Sequence, residues 1–339
     1  MKYPEFLKKN DTIGLVAPSF GVSGFPYEDR YLSARKKFED SGFSFVEAKH
    51  IHGIRNARST TGKIRAKELQ QMYLNEDVDF VSSLAGGELM LEILPYLNFD
   101  KIAKGKPKWF MGLSDNTVFT YALNVLCDVA SIYGPCLGGF GMRKWHRSLR
   151  ESYDIITGQR LWQKSYTRHE DPYYDEKSED PLAGYRLTEP VVYESLDGED
   201  VIMKGRLVGG CLDILLNICG TKFDKVREFG EKYKDDGLLF YLEACDLNIL
   251  DIYRGLWQLK NAGWFDNCVG IIMGRAKNGG ELFDVTMRKT LKNNLKELGI
   301  PVVFNADFGH VAPSWTIISG SIGTIRYRNG KCTITYELR

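Results

Sequence analysis

The sequence predicts an α/β protein of two domains, the first of which is built on a parallel sheet with helices on both faces. The chain has 339 residues, which at roughly 150 residues per domain suggests two domains. Apolar strand-like runs alternate with helix-like segments in both halves, as in βαβ units. Between the halves, residues 165–200 contain eleven acidic and three basic residues. Such a long irregular stretch indicates a domain junction or a lid.

The composition excludes several classes of protein. Hydrophobic residues make up 43% and charged residues 26% of the chain, so a disordered or collagen-like chain is excluded. The formal net charge is +1, which provides no overall attraction to nucleic acid or to an anionic membrane. No apolar run approaches the ~20 residues of a membrane span, and the N-terminus has no signal-peptide pattern. The seven cysteines include no Cys-x-x-Cys pair, which is typical of a cytoplasmic protein.

The first half repeats a strand–helix pattern. Strands are predicted at 13–17, 43–48, 78–84 and 109–112, and helices at 27–40, 64–74 and 117–126. In the first helix, Leu32, Ala34 and Phe38 are predicted to share one side. Ligands of such sheets bind beyond the carboxyl ends of the strands. The loops predicted to carry function are therefore those at 17–24, 85–88 and 113–116.

The second half alternates again and ends in β-structure. Strands are predicted at 201–208, 238–242, 269–273 and 302–304, with helices at 212–218, 252–262 and 286–298. The region 316–337 is predicted to supply further strands, with a closing hairpin at Asn329-Gly330. The predicted organisation is therefore a first domain at 1–165, a linker or lid at 166–200, and a second domain at 201–339.

Neither a metal nor a nucleotide cofactor is predicted. The chain has five histidines, and no His-Glu-x-x-His or clustered Cys/His spacing indicates a metal centre. The sequence has no phosphate-binding Gly-x-x-x-x-Gly-Lys loop, and the glycines at 138–141 do not follow the first strand. The strand–helix alternation alone is only a fold-level argument for a dinucleotide cofactor.

A candidate nucleophile stands where a strand ends and a helix begins. In Gly112-Leu113-Ser114-Asp115, a serine on a sharp strand-to-helix turn would project its hydroxyl above the sheet. Neighbouring N–H groups could then stabilise an oxyanion. Asn116 replaces the second glycine of a nucleophile elbow. A plain helix N-cap is the alternative interpretation of this segment.

A nucleophilic serine needs a base and an acid that orients the base. Glu243 ends an apolar strand, at an edge where catalytic groups of open sheets lie; an exposed strand terminus is the alternative. His310 follows the strand 302–304 and is the only histidine in the second half. Gly86-Gly87 ends the third strand and could bring a bare backbone N–H close to a substrate. Together these residues suggest an acyl-transfer site between the two domains.

With these segments in this order, the chain resembles the LD-carboxypeptidase family of serine peptidases, which includes murein tetrapeptide carboxypeptidases and microcin C self-immunity peptidases. The resemblance covers nearly the whole length, and the nucleophile, acid and base follow the family's order. It rests on the segments 13–19, 83–87, 112–117, 205–210, 220–221, 239–243 and 309–310. The resemblance implies a Rossmann-like N-terminal domain and a smaller β-rich α/β C-terminal domain, with the active site at their interface.

The resemblance also implies a role for each site residue. Ser114 would attack the carbonyl, His310 would carry the proton, and Glu243 would orient His310. The backbone N–H groups of Gly87 and Asp115 would form the oxyanion hole. The residues expected to contact the substrate are Gly86, Glu88, Cys211 and Trp162.

Two positions depart from the family's pattern, and both are expected near the substrate. Ala85 stands where the family often has Arg, and Cys211 stands where it often has Asn. The Ala85 loop and the long excursion after residue 143 are more similar to the microcin-immunity members, whose lid stacks aromatic side chains on a nucleotide base. The aromatic residues that could stack in this way, or could simply anchor a long loop, are Trp145, Trp162, Tyr173 and Tyr174.

Two substrate classes stay open. One is the L,D-peptide bond of a cell-wall peptide, and the other is the amide that joins an amino acid to a nucleotide-like antibiotic. No cofactor, nucleic acid or membrane partner is expected. The protein is expected to be a cytoplasmic homodimer. The alternative is a non-catalytic two-domain protein that binds a small ligand and does not need the Ser114 hydroxyl. A nicotinamide-dependent enzyme would need a glycine-rich phosphate loop after the first strand, and residues 17–21 make a poor one.

Overall fold

The computed structural model describes residues 1–24, 26–172 and 180–339. These residues form two compact units, one of residues 1–160 with 180–184 and the other of residues 161–172 with 185–339. This division differs from the predicted one, because short strands at 162–164 and 194–195 join the sheet of the second unit. Tyr173 and Tyr174, two of the residues considered for stacking on a base, lie outside the described residues.

The first unit alternates strands and helices, as the sequence predicts. Its strands are β1 (Thr12–Val16), β2 (Ser44–Glu47), β3 (Phe80–Ser83), β4 (Trp109–Gly112) and β5 (Ser131–Tyr133). Its helices are α1 (Tyr27–Asp40), α2 (Gly62–Leu74), α3 (Phe99–Lys104), α4 (Thr117–Cys127) and α5 (Arg147–Ile156). Short 3-10 segments span Met90–Tyr96, Ser114–Asn116 and Leu137–Gly141.

The strands of the first unit lie in the order β5-β4-β3-β1-β2, and each of these pairs is parallel. All residues of β3 and β4 are buried, which is the pattern of a parallel sheet covered on both faces. Because the strands are parallel, the segments after β1, β3 and β4 leave the sheet at one edge. The predicted common edge of the loops 17–24, 85–88 and 113–116 is therefore confirmed.

Helix α1 buries one face, but not with all of the predicted residues. The buried residues are Tyr31, Ala34 and Phe38, spaced by three and four positions as a helical stripe requires. Leu32 is 53% exposed, so the prediction that it shares a side with Ala34 and Phe38 is wrong. Leu32 lies two positions before Ala34. Residues two positions apart in a helix are rotated by about 200° around its axis, so they face nearly opposite sides.

Trp145 belongs to an aromatic cluster of the first unit. Its ring packs against those of Phe38, Phe140 and Tyr153 at centroid distances of 6.0, 5.3 and 5.6 Å. Its indole N–H donates to the Phe140 carbonyl oxygen at 2.7 Å. These contacts correspond to the anchoring role, which was one of the two alternatives left open for the aromatic residues of this stretch.

The second unit combines parallel and antiparallel strands. Its strands are β6 (Trp162–Lys164), β7 (Arg168–Glu170), β8 (Leu187–Pro190), β9 (Glu194–Ser195), β10 (Val201–Cys211), β11 (Leu238–Glu243), β12 (Cys268–Gly274), β13 (Val302–Ala306), β14 (Ile317–Ser319), β15 (Ile322–Arg328) and β16 (Lys331–Glu337). Its helices are α6 (Leu212–Ile218), α7 (Val226–Lys232), α8 (Ile249–Asn261) and α9 (Met287–Leu295), followed by a 3-10 turn at Lys296–Leu298. None of the helices in the described parts of the two units is long and apolar enough to cross a membrane.

The main sheet of the second unit has eight strands in the order β6-β16-β15-β10-β11-β12-β13-β9. Strands β10 to β13 are parallel neighbours, so their carboxyl ends also meet at one edge. Strands β15 and β16 form the predicted closing hairpin, in which Arg328 pairs with Lys331. The two turn residues, Asn329 and Gly330, have φ angles of +49° and +73°. These left-handed conformations suit a two-residue hairpin turn, and the prediction is confirmed.

Candidate active site

Ser114 lies on the turn between β4 and α4. Its φ is +68°, in the left-handed region that residues other than glycine seldom adopt. Its backbone N–H donates to the Tyr133 hydroxyl at 3.3 Å. The N-cap of α4 is Asn116, so Ser114 is not that cap. A strained serine directly after a buried parallel strand favours the nucleophile elbow over the plain cap.

The glycine loop after β3 passes close to this serine. A Cβ on Gly86 would lie 3.0 Å from the Ser114 Cβ and 3.4 Å from its Oγ, so only glycine leaves ordinary room there. Gly87 has a φ of +146°, and a Cβ on it would collide with the Ser19 hydroxyl and lie 2.9 Å from the Phe20 ring. The structure therefore brings Gly86 together with Ser114. Glu88, the next predicted contact, is exposed at the end of this loop.

The Asp115 side chain has a role that the sequence analysis missed. It is fully buried, and its Oδ2 accepts hydrogen bonds from the Ser19 hydroxyl and, at 2.7 Å, from the Met90 N–H. Burial raises the pKa of this carboxyl, and the two hydrogen bonds and the Arg65 charge only partly oppose that effect. The carboxylate joins the three loops predicted to carry function, since its partners follow β1 and β3 and Asp115 itself follows β4.

Two further side chains tie these loops together. The Asn116 amide donates to the carbonyl oxygens of Ala85 and Leu113 at 3.0 and 2.9 Å. The buried Arg65 guanidinium, from α2, donates to the carbonyl oxygens of Pro18 and Leu89 at 2.7 and 3.1 Å. Nothing in the local sequence around Arg65 distinguishes it from a surface arginine. Ser19, in contrast, lies three residues after the end of β1, in a loop predicted to carry function, and could have been considered.

Glu243 and His310 form a hydrogen-bonded pair in the second unit. Glu243 is the last residue of β11 and its side chain is completely buried, whereas the His310 side chain is 15% exposed. The His310 Nδ1 lies 2.8 Å from the Glu243 Oε2. Burial alone lowers the pKa of His310, but the Glu243 carboxylate, with hydrogen bonding to the Cys245 side chain, overcomes this and raises that pKa well above its ordinary value. Glu243 therefore stabilises the imidazolium, as the orienting acid of a triad does.

Glycines allow this pair to form. Gly309 has a φ of +104°, and a Cβ on it would lie 2.5 Å from the Glu243 Oε2. A Cβ on Gly274, at the end of β12, would lie 2.9 Å from the Glu243 Cβ. The buried Glu243 carboxylate thus lies in space that side chains at positions 309 and 274 would need. Gly309 directly precedes His310, the only histidine in the second half of the sequence. This glycine was a sequence signal that the backbone here approaches another group closely, as it does the Glu243 side chain.

Cys211 lies beside the pair. It is the last residue of β10 and is in register with Glu243 on β11. It is buried, and its thiol donates to the Asp213 Oδ2 at 3.3 Å. Burial, together with the charges of Glu243 and Asp213, raises the pKa of this thiol well above its ordinary value. Cys211 is therefore a neutral neighbour of the acid–base pair.

The same three residues offer metal-binding atoms. In the described part of the chain, the possible ligand atoms of Cys211, Glu243 and His310 lie within 4.8 Å of one another. Zinc can bind through three protein ligands and a water. Here, however, Glu243 and His310 already satisfy each other through a direct hydrogen bond. We therefore interpret the group as an acid–base pair with a neighbouring thiol.

Trp162 is not brought to this group. Its strand β6 is at the edge of the main sheet, separated from β10 by β16 and β15. The registers place Trp162 opposite Thr335, in the same row as Lys204. Lys204 precedes Cys211 on β10 by seven positions (211 − 204 = 7), which is about 23 Å of strand at ~3.3 Å per residue. Within the second unit, Trp162 therefore lies away from the acid–base pair, and it is 44% exposed.

Two family models match the chain, and each covers one set of site residues. The model for the LD-carboxypeptidase N-terminal domain matches residues 13–134, which include Gly86 and Ser114. The model for the LD-carboxypeptidase C-terminal domain matches residues 204–325, which include Glu243 and His310. The predicted family is thus confirmed for both units.

Several curated proteins are similar over nearly the whole chain. The microcin C7 self-immunity protein MccF of Escherichia coli is 27% identical over 345 residues, which cover 98% of this chain and 95% of the relative. A probable murein peptide carboxypeptidase of Bacillus subtilis (strain 168) is 25% identical over 323 residues, which cover 94% of this chain and 89% of the relative.

Solved structures share the fold. An MccF-like protein from Bacillus anthracis str. Ames has a TM-score of 0.84 at 22% identity, covering 99% of this chain and 100% of its own. The microcin C7 self-immunity protein MccF in complex with aspartyl sulfamoyl adenosine has a TM-score of 0.82 at 22% identity, covering 99% of both chains. The predicted α/β fold class is confirmed.

Proposed function

Because the chain belongs to the LD-carboxypeptidase family of serine peptidases, we propose that it hydrolyses an amide bond of a small substrate with Ser114, His310 and Glu243 as its triad. The observation that carries this proposal is the 2.8 Å hydrogen bond between His310 Nδ1 and the buried Glu243 carboxylate. The proposed triad takes its nucleophile from one unit and its acid–base pair from the other.

The proposed reaction follows acyl transfer through a covalent intermediate. The Ser114 Oγ attacks the substrate carbonyl carbon, and the His310 Nε2 takes the hydroxyl proton. His310 then gives that proton to the leaving amine, and the acyl group stays on Ser114. A water molecule, deprotonated by His310, attacks the acyl carbon. The bond from that carbon to the Ser114 Oγ then breaks, His310 returns the proton to this oxygen, and the acid product leaves. Glu243 holds the Nδ1 proton of His310 and keeps Nε2 available throughout.

The negative charge of the tetrahedral intermediate needs donors. We propose that the backbone N–H groups of Gly87 and Asp115 provide them. Two features support this role: the positive φ of Gly87 and the position of Asp115 directly after the strained Ser114. A single donor of this kind typically lowers the barrier by about 3 kcal/mol. Gly86, Glu88, Cys211 and Trp162 stay proposed substrate contacts, with Trp162 the least supported by the geometry.

The substrate that we propose first is an aminoacyl-nucleotide, cleaved at the amide that joins the amino acid to the nucleotide-like part. The support is the likeness of fold to the MccF complex with aspartyl sulfamoyl adenosine and the 27% identity to MccF. The second candidate is a murein L,D-peptide, supported by the similarity to the Bacillus subtilis murein peptide carboxypeptidase.

A mass-spectrometric cleavage assay tests the proposal. Purified protein receives aspartyl sulfamoyl adenosine and a murein tetrapeptide side by side. We expect release of the amino acid from the adenosine compound and its loss in Ser114→Ala, with Ser41→Ala, an exposed serine, as the matched control. Ser114-dependent loss of the terminal D-Ala alone would favour the murein substrate.

Cleavage of neither compound would contradict both substrate classes. In that case, binding of a compound that survives Ser114→Ala would favour the non-catalytic binding protein, because such a protein does not use the hydroxyl. Cleavage that persists in Ser114→Ala would contradict the proposed nucleophile.

A homodimer and a cytoplasmic location are also part of the proposal. The structure describes all seven cysteines, and they form no disulfide bond among themselves, which supports a reducing compartment. Light scattering after size-exclusion chromatography tests the dimer, since a homodimer has twice the chain mass of 38.6 kDa.

A further inference from the structure

Asp213 gathers three consecutive backbone donors onto one carboxylate. It lies in the first turn of α6, two residues after Cys211. Its Oδ2 accepts the Cys245 N–H at 3.0 Å, and its Oδ1 accepts the Asp246 N–H at 2.8 Å and the Leu247 N–H at 3.2 Å. Successive N–H groups that converge in this way form an anion-binding concavity. The anion here is a side chain of the same unit.

The segment held by Asp213 is the one that leaves β11 just beyond Glu243. Only Ala244 separates Glu243 from Cys245, and Ala244 is fully buried. The direction of the Glu243 side chain therefore depends on two anchors. The first is the pairing of β11 with its neighbouring strands, and the second is the attachment of residues 245–247 to Asp213.

The same carboxylate reaches the surroundings of the acid–base pair at two further points. Its Oδ2 accepts the thiol of Cys211 at 3.3 Å, and Cys211 is in register with Glu243. Cys245, whose backbone N–H Asp213 holds, is also one of the residues whose side chains raise the pKa of His310. Asp213 thus contacts both residues that flank the pair without being one of its members.

We propose that Asp213 is a positioning residue that holds Glu243 and His310 in their hydrogen-bonded geometry. This inference rests on the proposed function, since it assigns Asp213 to the acid–base pair of that reaction. Asp213 does not contact the reacting atoms in this role. It acts by fixing the backbone of residues 245–247, just after Glu243, and the thiol of Cys211 beside the pair.

A purely structural clamp is the competing interpretation, and Asp224 provides a matched control for it. The Asp224 carboxylate lies beyond the other end of α6 and also holds a loop. Its Oδ2 accepts the Gly220 N–H at 2.8 Å and the Trp264 indole N–H at 3.0 Å. Asp224→Asn therefore removes a comparable carboxylate clamp in the same unit, away from the residues that flank the pair.

The experiment compares Asp213→Asn with Asp224→Asn by three measurements: thermal unfolding, steady-state kinetics, and the pH titration of the His310 imidazole by NMR. We expect both variants to lose similar stability. Only Asp213→Asn should lower kcat, by about 10- to 100-fold with KM nearly unchanged, and move the His310 pKa down toward its ordinary value. If Asp213→Asn does not fold, Asp213→Ser takes its place, because a hydroxyl can still accept one N–H.

The inference and the proposed function can fail separately. Equal kcat values and equal His310 titrations in the two variants would overturn the positioning role, while wild-type cleavage that depends on Ser114 would leave the function standing. Absence of that cleavage in the wild type would overturn the function. The NMR titration would still decide whether Asp213 controls the pair, because it needs no substrate.

Discussion

The proposed nucleophile turn of the first unit and the proposed acid–base pair of the second unit both lie where parallel strands end, here called the first and the second edge, but they are held by different forces. The nucleophile turn depends on backbone conformation: Ser114 has a positive φ, and Gly86 and Gly87 admit the neighbouring loop. The acid–base pair depends on charge: Glu243 holds His310, and Asp213 holds the segment after Glu243. Adding an atom is therefore the direct test of the first edge, and removing a charge is the direct test of the second edge.

This difference follows from what each edge must present. A nucleophile and an oxyanion hole need exposed backbone N–H groups and an accessible hydroxyl, which glycines and a tight turn provide. A base needs a buried partner of fixed charge, because an imidazolium forms during the reaction and is stabilised most strongly where water is excluded.

The largest effect is expected from removing the charge at the second edge. Glu243→Gln should lower kcat by about 10⁴-fold, because an amide can donate to His310 Nδ1 and hold the wrong tautomer. Steady-state cleavage of the substrate that the mass-spectrometric assay identifies measures this loss. Glu337→Gln, which neutralises a half-exposed carboxylate at the end of β16, is the control and should keep full activity. An activity of Glu243→Gln above one tenth of wild type would contradict the charge-based account.

A smaller loss is expected from adding one atom at the first edge. Gly87→Ala should lower kcat/KM by about 10²- to 10³-fold, the effect of losing one oxyanion donor, because the new Cβ must displace Ser19 or Phe20. Kinetics and thermal unfolding should be measured together.

Gly220→Ala is the matched control for that substitution. Gly220 also has a positive φ, of +79°, but a Cβ there would meet no atom within 4 Å. Gly220→Ala therefore places an alanine at a positive φ without the collision. Equal losses of activity in the two variants would show that strain alone, and not displacement of the glycine loop, explains the result.

The smallest expected effect is a change in how the free energy of unfolding depends on pH. Folding raises the pKa of His310 above its ordinary value of 6.5, so the folded state binds this proton more tightly than the unfolded state. The resulting stabilisation is complete below about pH 6.5 and is lost as the pH rises through the raised pKa. The difference in unfolding free energy between wild type and His310→Gln should therefore shrink on alkalinisation, by about 1.4 kcal/mol for each pKa unit separating the two states.

Chemical denaturation at a series of pH values measures this difference. A His310→Gln difference that grows as the pH rises would reverse the sign and contradict stabilisation of the imidazolium by Glu243.

Much of each edge could be predicted from short stretches of sequence. The apolar runs before Ser114 and Glu243, and the glycines at 86, 87 and 309, are local signals that a strand ends and the backbone turns. Local signals could not assign the Asp115 carboxylate to Ser19 and Met90, because those partners follow other strands. They also misplaced Leu32, which has the hydrophobicity of a core residue but lies on the exposed side of α1.

The sequence by itself determined the alternation of strands and helices, the strand ends where chemistry is possible, and the closing hairpin at Asn329-Gly330, because each of these depends on residues close together in the chain. Only the tertiary structure decided which distant residues meet. His310 and Glu243 are 67 positions apart, and Asp213 holds a segment more than thirty positions away. Such contacts are set by the order and register of parallel strands, which bring distant carboxyl ends to one edge, and no local pattern contains that information.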